Sequence, residues 1–341
     1  MMKLSAAFLL PLVSAAAFKQ HLQSPILSVD KAIDAAAPGI GVHFTTSYAT
    51  AVVRYSNGTF QNLVQVKGDA KYIDSMIYWA DPESPAYLDS NELVRARVAL
   101  ASMLSKVQRA IEEKLSEPVY NIYAVFPVSQ GLQSDDIKNA FQRASLNWLV
   151  SDDLPFRETS AAYVGMGYGL CPSFPDMDRC RQEVDAMKFE HVLFLNFDNS
   201  SFGAAYHPMH AAAVKWPSPN AYILDTYLGW WGLPVHEKPR AEFWCDIKDV
   251  IMDVVKPFGI TPSKIILLGD HAGEREFQTV VELALLEALG FDASSFLNKN
   301  YVSGMSIAAK GAAEWAFRVQ YMSSKLGARA GNDHGKARSE L

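Results

Sequence analysis

Basic residues do not outnumber acidic ones: 31 Lys and Arg against 37 Asp and Glu leave a formal charge of -6. The electrostatic surplus that draws a protein to a nucleic-acid backbone is missing, which excludes nucleic acid as the expected partner. Long apolar runs are also missing; beyond the opening residues nothing approaches the ~20 apolar residues of a membrane-spanning helix. Cysteines number three, Cys171, Cys180 and Cys245, and no His or Cys pair stands around them at zinc-finger spacing. No Gly-x-Ser-x-Gly occurs, so the strained turn that exposes a hydrolase serine has no candidate. No repeat of solenoid period is visible.

What is present is ample apolar material, 49% of the residues, enough for a packed core divided over two lobes. Met1-Met2-Lys3, the apolar stretch Leu4 to Val13 and the small residues Ala15-Ala16-Ala17 form the pattern of a secretory signal peptide, residues 1–17, with cleavage expected after Ala17. In that compartment Cys171 and Cys180, which bracket the loop CPSFPDMDRC, are expected to form a local disulfide, with free thiols as the alternative. Asn57-Gly58-Thr59 has the pattern of a glycosylation acceptor in a turn; Asn199-Ser200-Ser201 shares the pattern but falls where a tight loop is expected. The final Lys336-Ala337-Arg338-Ser339-Glu340-Leu341 is similar to a retrieval signal of the endoplasmic reticulum, with Ser339 in place of an acidic residue. The expected location is therefore extracellular, with the reticulum lumen as the alternative.

Gly41 to Tyr55 is a β-branched and aromatic run that turns at Ser56-Asn57-Gly58 and resumes from Phe60 to Val66, which predicts a hairpin. From Leu93 to Leu115 apolar residues recur every three or four positions behind Asp89-Ser90-Asn91-Glu92, which predicts a helix. Val119 to Phe126 reads as a buried strand and Asp135 to Trp148 as a helix. Strands follow at His191 to Phe197, Phe202 to Tyr206, Ala211 to Trp216 and Ala221 to Thr226. After them come a helix at Phe243 to Val255, a strand at Lys264 to Leu268 and a helix at Glu274 to Leu289 stopped by Gly290. Strand meanders with helices between strands imply an α/β fold. The stretch 327–341 has the small, charged composition of a disordered tail.

Several segments in order resemble the nucleotide-binding domain of heat-shock chaperones of the DnaK type, within the actin-like ATPases. Gly41-Val42-His43-Phe44-Thr45-Thr46-Ser47 is similar to the first phosphate loop, and Val125-Phe126-Pro127 to the strand that ends in Val-Pro. Arg157-Glu158-Thr159-Ser160-Ala161-Ala162 is similar to the Asn-Glu-Pro-Thr-Ala-Ala connection, and Leu193 to Phe202 to the second phosphate loop. Ile265 to Asp270 is similar to the adenosine motif, and Gly304 to Ala316 to the closing helix. The resemblance covers about residues 39 to 320 and implies a two-lobed, ribonuclease-H-like fold: a first lobe at 18–190 and a second, reduced lobe at 191–326. The outer subdomain that clamps adenine is expected to be missing or cut down to the loop from Trp230-Trp231 to Arg240. The Trp230-Trp231-Gly232 cluster is read as packing over that reduced lobe, with an exposed binding patch as the alternative. The family's peptide-binding sandwich and lid have no counterpart after the closing helix, so independent action on unfolded clients is not expected.

The departures bear on function. Phosphate loops are glycine-rich because a Cβ would bar backbone N–H groups from the phosphate oxygens. Here Thr45 stands at the first loop's glycine, while Asp198, Asn199 and Ser200 fill the second loop's three glycine positions. Asp198 beside a triphosphate costs on the order of 4 kcal/mol at ~4 Å and an effective dielectric near 20. The family's two metal-holding aspartates fall on His43 and Asn196, neither an anionic ligand for a hard cation. Gly269 is kept in the adenosine motif, followed by Asp270 and His271. Glu158 falls on the family's glutamate near metal and water, against the commoner role of a helix-start residue.

The resemblance with its losses implies a noncatalytic binding or scaffold protein, with no metal or cofactor and with an unknown protein or small ligand as partner. The alternative is a slow ATPase using ATP with magnesium, in which Glu158, Thr46 and Asn196 converge on one cleft and Thr45, Ser47, Asp198, Asn199, Ser200, Gly269 and Asp270 line it.

Overall fold

The computed structural model describes residues 37–80, 90–129, 131–150, 156–214, 221–297 and 304–338. The signal-peptide pattern and residues 339–341 lie outside the described residues.

The first sheet contains β1 (Gly39–Phe44), β2 (Tyr48–Arg54), β3 (Phe60–Lys67), β4 (Asn121–Val125) and β5 (Asn147–Trp148), in the order β3-β2-β1-β4-β5. β1, β2 and β3 form an antiparallel meander, and β4 lies parallel to β1. The helices α1 (Ala70–Ala80), α2 (Ser90–Leu115) and α3 (Ser134–Arg143) connect these strands.

The second sheet repeats that plan. β6 (Glu190–Phe197), β7 (Phe202–His210) and β9 (Tyr222–Asp225) form an antiparallel meander, with β8 (Ala213–Val214) as an extra pairing on β7, and β10 (Lys264–Leu268) lies parallel to β6. A helix, α6 (Glu237–Val255), precedes β10, and α7 (Arg275–Leu289) and the short α8 (Ser294–Leu297) follow it. α7 ends where Gly290 adopts φ 63°, a left-handed position that glycine takes without a Cβ penalty. The same connection of meander, helix and parallel strand is thus made twice.

Three further helices, α4 (Glu158–Gly165), α5 (Met177–Asp185) and α9 (Ile307–Arg338), complete the chain. Strands buried on both faces explain where α4 and α9 lie. Along β4, Ile122 and Ala124 join the core beneath α1, α2 and α3, while Tyr123 and Val125 face the opposite way into a cluster with α4 and α9. Along β6, Leu193, Leu195 and Phe197 pack on α6 and α7, while Val192 and Phe194 point into that same α4–α9 cluster. The two connecting helices are therefore sandwiched between the inner faces of the two sheets.

Their closeness depends on small residues. A Cβ on Gly41 of β1 would lie 2.0 Å from the Ala313 nitrogen of α9, and one on Gly311 of α9 would lie 1.8 Å from the Ala161 carbonyl oxygen of α4. Although α9 follows the second sheet in the chain, it packs on β1, β2 and β4 as well as α4. Glu314 of α9 pairs with Arg54 at the end of β2 and with Arg318 one helical turn on.

Three expectations change. The run 41–55 is two strands broken at Thr45–Ser47. The segment 135–148 is helical only to Arg143, after which Ser145 takes φ 57° and the chain enters β5. Where composition suggested a disordered tail from 327, the α9 backbone is helical to Arg338.

Cys171 and Cys180 are bonded, with Cα atoms 5.1 Å apart, and Cys245 is free and exposed. Asp176 caps α5 within that loop by accepting from the Arg179 nitrogen. Among the described residues no helix is long and apolar enough to cross a membrane.

Candidate functional site

Strand parity sets up the site. On β1 the face that carries Gly39 and Gly41 also carries His43, and on β6 the face that carries Val192 and Phe194 also carries Asn196. Both faces meet the first turn of α4, where Glu158 begins the helix. His43 Nε2 lies 2.7 Å from Glu158 Oε2, and Asn196 Nδ2 donates to the same oxygen at 2.9 Å. All three side chains are buried. Among the described residues His43 Nδ1 and Asn196 Oδ1 have no hydrogen-bond partner. A cleft of about 270 Å³, open mouth included, lies beside Glu158 and Asn196 against Val128, Phe194 and Leu224.

The two hairpin loops beyond these strands touch each other. Thr46 Oγ1 lies 2.8 Å from Ser200 Oγ and 2.7 Å from Ser201 Oγ, and it donates toward the Asp198 carboxylate at 3.4 and 3.5 Å. Ser47 Oγ donates to Asp198 Oδ1 at 3.2 Å. Thr46 and Asp198 are fully buried.

Groups within each loop also satisfy several of its backbone donors. Thr45 Oγ1 accepts from the nitrogens of Ser47 and Tyr48, both at 3.2 Å, and Asp198 Oδ1 accepts from the Ser200 nitrogen at 2.8 Å. The Asp198 nitrogen donates to the Ser201 carbonyl at 3.1 Å. These side chains occupy the donors that a glycine-rich loop would leave pointing outward for a phosphate.

A third segment seals the second loop from behind. The nitrogens of Trp230 and Trp231 donate to the carbonyls of Asp198 and Asn199, each at 2.9 Å, and a Cβ on Gly229 would strike the Ser200–Ser201 backbone at 2.4 Å. Asn199 Nδ2 donates to Asp270 Oδ2 at 2.9 Å, Gln65 Nε2 donates to Asp270 Oδ1 at 3.4 Å, and His271 Nε2 meets Asn199 Oδ1 at 3.2 Å. The His271 ring stacks on Trp230, with centroids 4.2 Å apart and planes 6° apart. Burial lowers the His271 pKa, which keeps that ring neutral at pH 7. Gly269 has φ 92°, and a Cβ there would lie 2.3 Å from the Phe197 carbonyl oxygen, so the turn into Asp270 requires glycine.

The structure thus brings Thr45, Thr46, Ser47, Asn196, Asp198, Asn199, Ser200, Gly269, Asp270 and Glu158 together. Sequence reasoning missed Ser201, Gln65 and the backbone role of Gly229 to Trp231, and it gave His43 no partner. The run of hydroxyls at 45–47 and 200–201 was the available signal, since such residues bond to nearby backbone and to one another. Asn57 and the disulfide lie elsewhere. Trp230 packs as expected, whereas Trp231 is 62% exposed.

No protein-family model and no curated protein matches this chain.

Burial pushes the Asp198 pKa up, the nearby Asp270 adds to the rise, and the Ser200 nitrogen and Ser47 hydroxyl only partly oppose it. Tyr48 and Tyr72, both buried nearby, have their phenols pushed well above the ordinary range by burial and by Asp198. Among the described residues no Lys or Arg hydrogen-bonds or pairs with Asp198. A carboxyl whose folded pKa is raised favours the fold below its unfolded pKa, near 3.8, and loses that contribution as pH rises through the folded value. Asp198→Asn mimics the neutral acid at every pH. The expected result in urea titrations between pH 4 and pH 8 is that the stability of the variant relative to the native chain rises with pH. A difference that stays constant over that range would show that Asp198 titrates as in the unfolded chain.

A phosphate group placed between these two loops would have to displace Thr46 from the second loop, break the Thr45 and Asp198 caps, and lie beside a buried carboxyl. Among the described residues no cluster of three or more His, Cys, Asp or Glu side chains gathers as a metal site.

Proposed function

We propose that this chain is a noncatalytic binding or scaffold protein of the secretory pathway, built on a two-lobed actin-like fold with a reduced second lobe. In it the nucleotide cleft has become a side-chain latch between the lobes. The repeated strand plan supports the fold, with two helices sandwiched between the sheets, as does the position of both hairpin loops at one place. Residues 226–236 are all that joins β9 to α6, which leaves no adenine-clamping subdomain there. The disulfide supports an oxidising compartment. The exposed Tyr227, Trp231 and Val235 on the loop behind the latch offer a partner an apolar grip.

One observation carries the reading: the Ser47, Tyr48 and Ser200 N–H groups donate to side chains of their own loops. A phosphate would gain hydrogen bonds only by breaking these, and it would meet Asp198. A charged carboxylate about 4 Å from the phosphate, at an effective dielectric near 20, repels it by on the order of 4 kcal/mol.

The test is calorimetry of ATP and ADP against residues 18–341, with and without magnesium. No saturable heat is expected at millimolar nucleotide. Saturable binding would return the slow ATPase to first place, and magnesium-dependent phosphate release lost in Glu158→Gln would then establish it.

A further inference from the structure

We propose that Asn57 carries an N-linked oligosaccharide whose first sugar packs on Tyr55, and that Asn199, which shares the acceptor pattern, remains bare in the folded protein. The inference rests on the secretory reading and goes beyond it to a covalent modification and its structural role.

Asn57 is exposed at the turn between β2 and β3. Its Oδ1 accepts from the Thr59 nitrogen at 3.0 Å and from the Thr59 hydroxyl at 2.7 Å. Among the described residues the amide nitrogen Nδ2 has no protein partner. Around the adjacent Gly58, at φ 85°, no heavy atom lies within 4 Å of a Cβ position, so the approach is open.

The chemistry fits that geometry. The Thr59 hydroxyl polarises the amide carbonyl while Nδ2 attacks the anomeric carbon of an oligosaccharide carried on a lipid-linked diphosphate. The N–C bond forms, the bond from that carbon to the diphosphate oxygen breaks, the diphosphate leaves with the electron pair, and Nδ2 loses one proton.

Tyr55 gives the first sugar a floor. Its nitrogen donates to the Thr59 carbonyl at 2.9 Å and its carbonyl accepts from the Gly58 nitrogen at 3.0 Å, which sets Tyr55 opposite Thr59 across the hairpin. The Tyr55 hydroxyl donates to Gln61 Oε1 at 2.7 Å and fixes the ring. Because Asn57 is folded back onto Thr59, a sugar on Nδ2 starts over the pair that Thr59 forms with Tyr55. The C–H face of a pyranose and an aromatic ring then bury each other.

Asn199 offers the opposite surroundings. Its Nδ2 donates to Asp270 and its Oδ1 meets His271, while the hydroxyl of Ser201, which completes the pattern, is buried against Thr46. A glycan there and the closed latch exclude each other.

The full chain, expressed in a eukaryotic secretory host, is mapped by peptide mass after enzymatic glycan release in heavy-oxygen water, which marks each formerly glycosylated Asn. The expected map shows Asn57 marked and Asn199 unmarked. Enzymatic trimming to the bare chain is expected to lower the melting temperature by about 1–2 °C, and that shift should vanish in Tyr55→Ala.

A secreted chain with Asn57 bare, or a folded chain with Asn199 marked, overturns the acceptor assignment. A shift retained in Tyr55→Ala overturns the sugar–ring contact. A second chain, led by a foreign signal sequence, separates the two readings: Asn57 marked only behind the foreign signal sinks the secretory reading and upholds the acceptor.

Discussion

Gly311→Ala is expected to lower folding stability by about 3 kcal/mol, read as a fall in the urea midpoint at unchanged m-value. Helix propensity alone predicts the reverse, since alanine is better than glycine in a helix interior by about 1 kcal/mol. The contact decides against propensity. A Cβ on Gly311 would lie 1.8 Å from the Ala161 carbonyl oxygen, 2.7 Å from its carbonyl carbon and 2.8 Å from the Gly165 nitrogen, all backbone atoms of α4. No rotamer change relieves that clash, so α4 and α9 must separate and open the core between the two sheets.

The relation is reciprocal, because a Cβ on Gly165 would lie 1.9 Å from the Ile307 carbonyl oxygen of α9. Gly165→Ala combined with Gly311→Ala is therefore expected to cost less than the sum of the two, since one separation of the helices relieves both clashes. An unchanged or raised midpoint in Gly311→Ala would mean that the two helices do not touch, and the sandwiched arrangement would fall with it.

The elements that announced themselves in the sequence are those whose periodicity is carried by large apolar side chains. α2, with Leu100, Leu104, Val107 and Ile111 buried on one face, was legible to within a few residues, as were β6 and β10. What was hidden depends on small residues or on long-range pairing. β5 is two residues long and exists because Asn147 and Trp148 pair with β4, which no local pattern reveals. α1 lacked a reading although Tyr72, Met76 and Trp79 form its buried stripe, and α4 is buried throughout, so it shows no amphipathic pattern.

The residues that gather at the two hairpin loops could be singled out in the sequence through the resemblance, position by position. Their arrangement could not. That Thr45 and Asp198 cap their own loops, and that Thr46 crosses to Ser200 and Ser201, follows from tertiary contact between segments more than 150 residues apart. The hydroxyl and carboxyl side chains at 45–47 and 198–201 could be read in the sequence, while only the fold shows which donors they meet.

Glu158→Ala should cost about 4 kcal/mol, with no loss of phosphate release because none is expected. The carboxylate is the shared acceptor for His43 Nε2 and Asn196 Nδ2 in a buried site, and its removal strands both donors at about 1–3 kcal/mol each. Glu158→Gln should cost much less. Its amide oxygen, placed where Oε2 stands, still accepts from both Asn196 Nδ2 and His43 Nε2. Replacing His43, Glu158 and Asn196 together by leucine should likewise cost less than Glu158→Ala alone, because a group of buried polar partners is most expensive when only one of them is removed. Urea denaturation of the three variants reads this ordering directly. Were Glu158→Ala to keep native stability, the buried cluster would not be a structural bond between β1, β6 and α4, and a glutamate kept there at no structural benefit would point back to chemistry at the cleft.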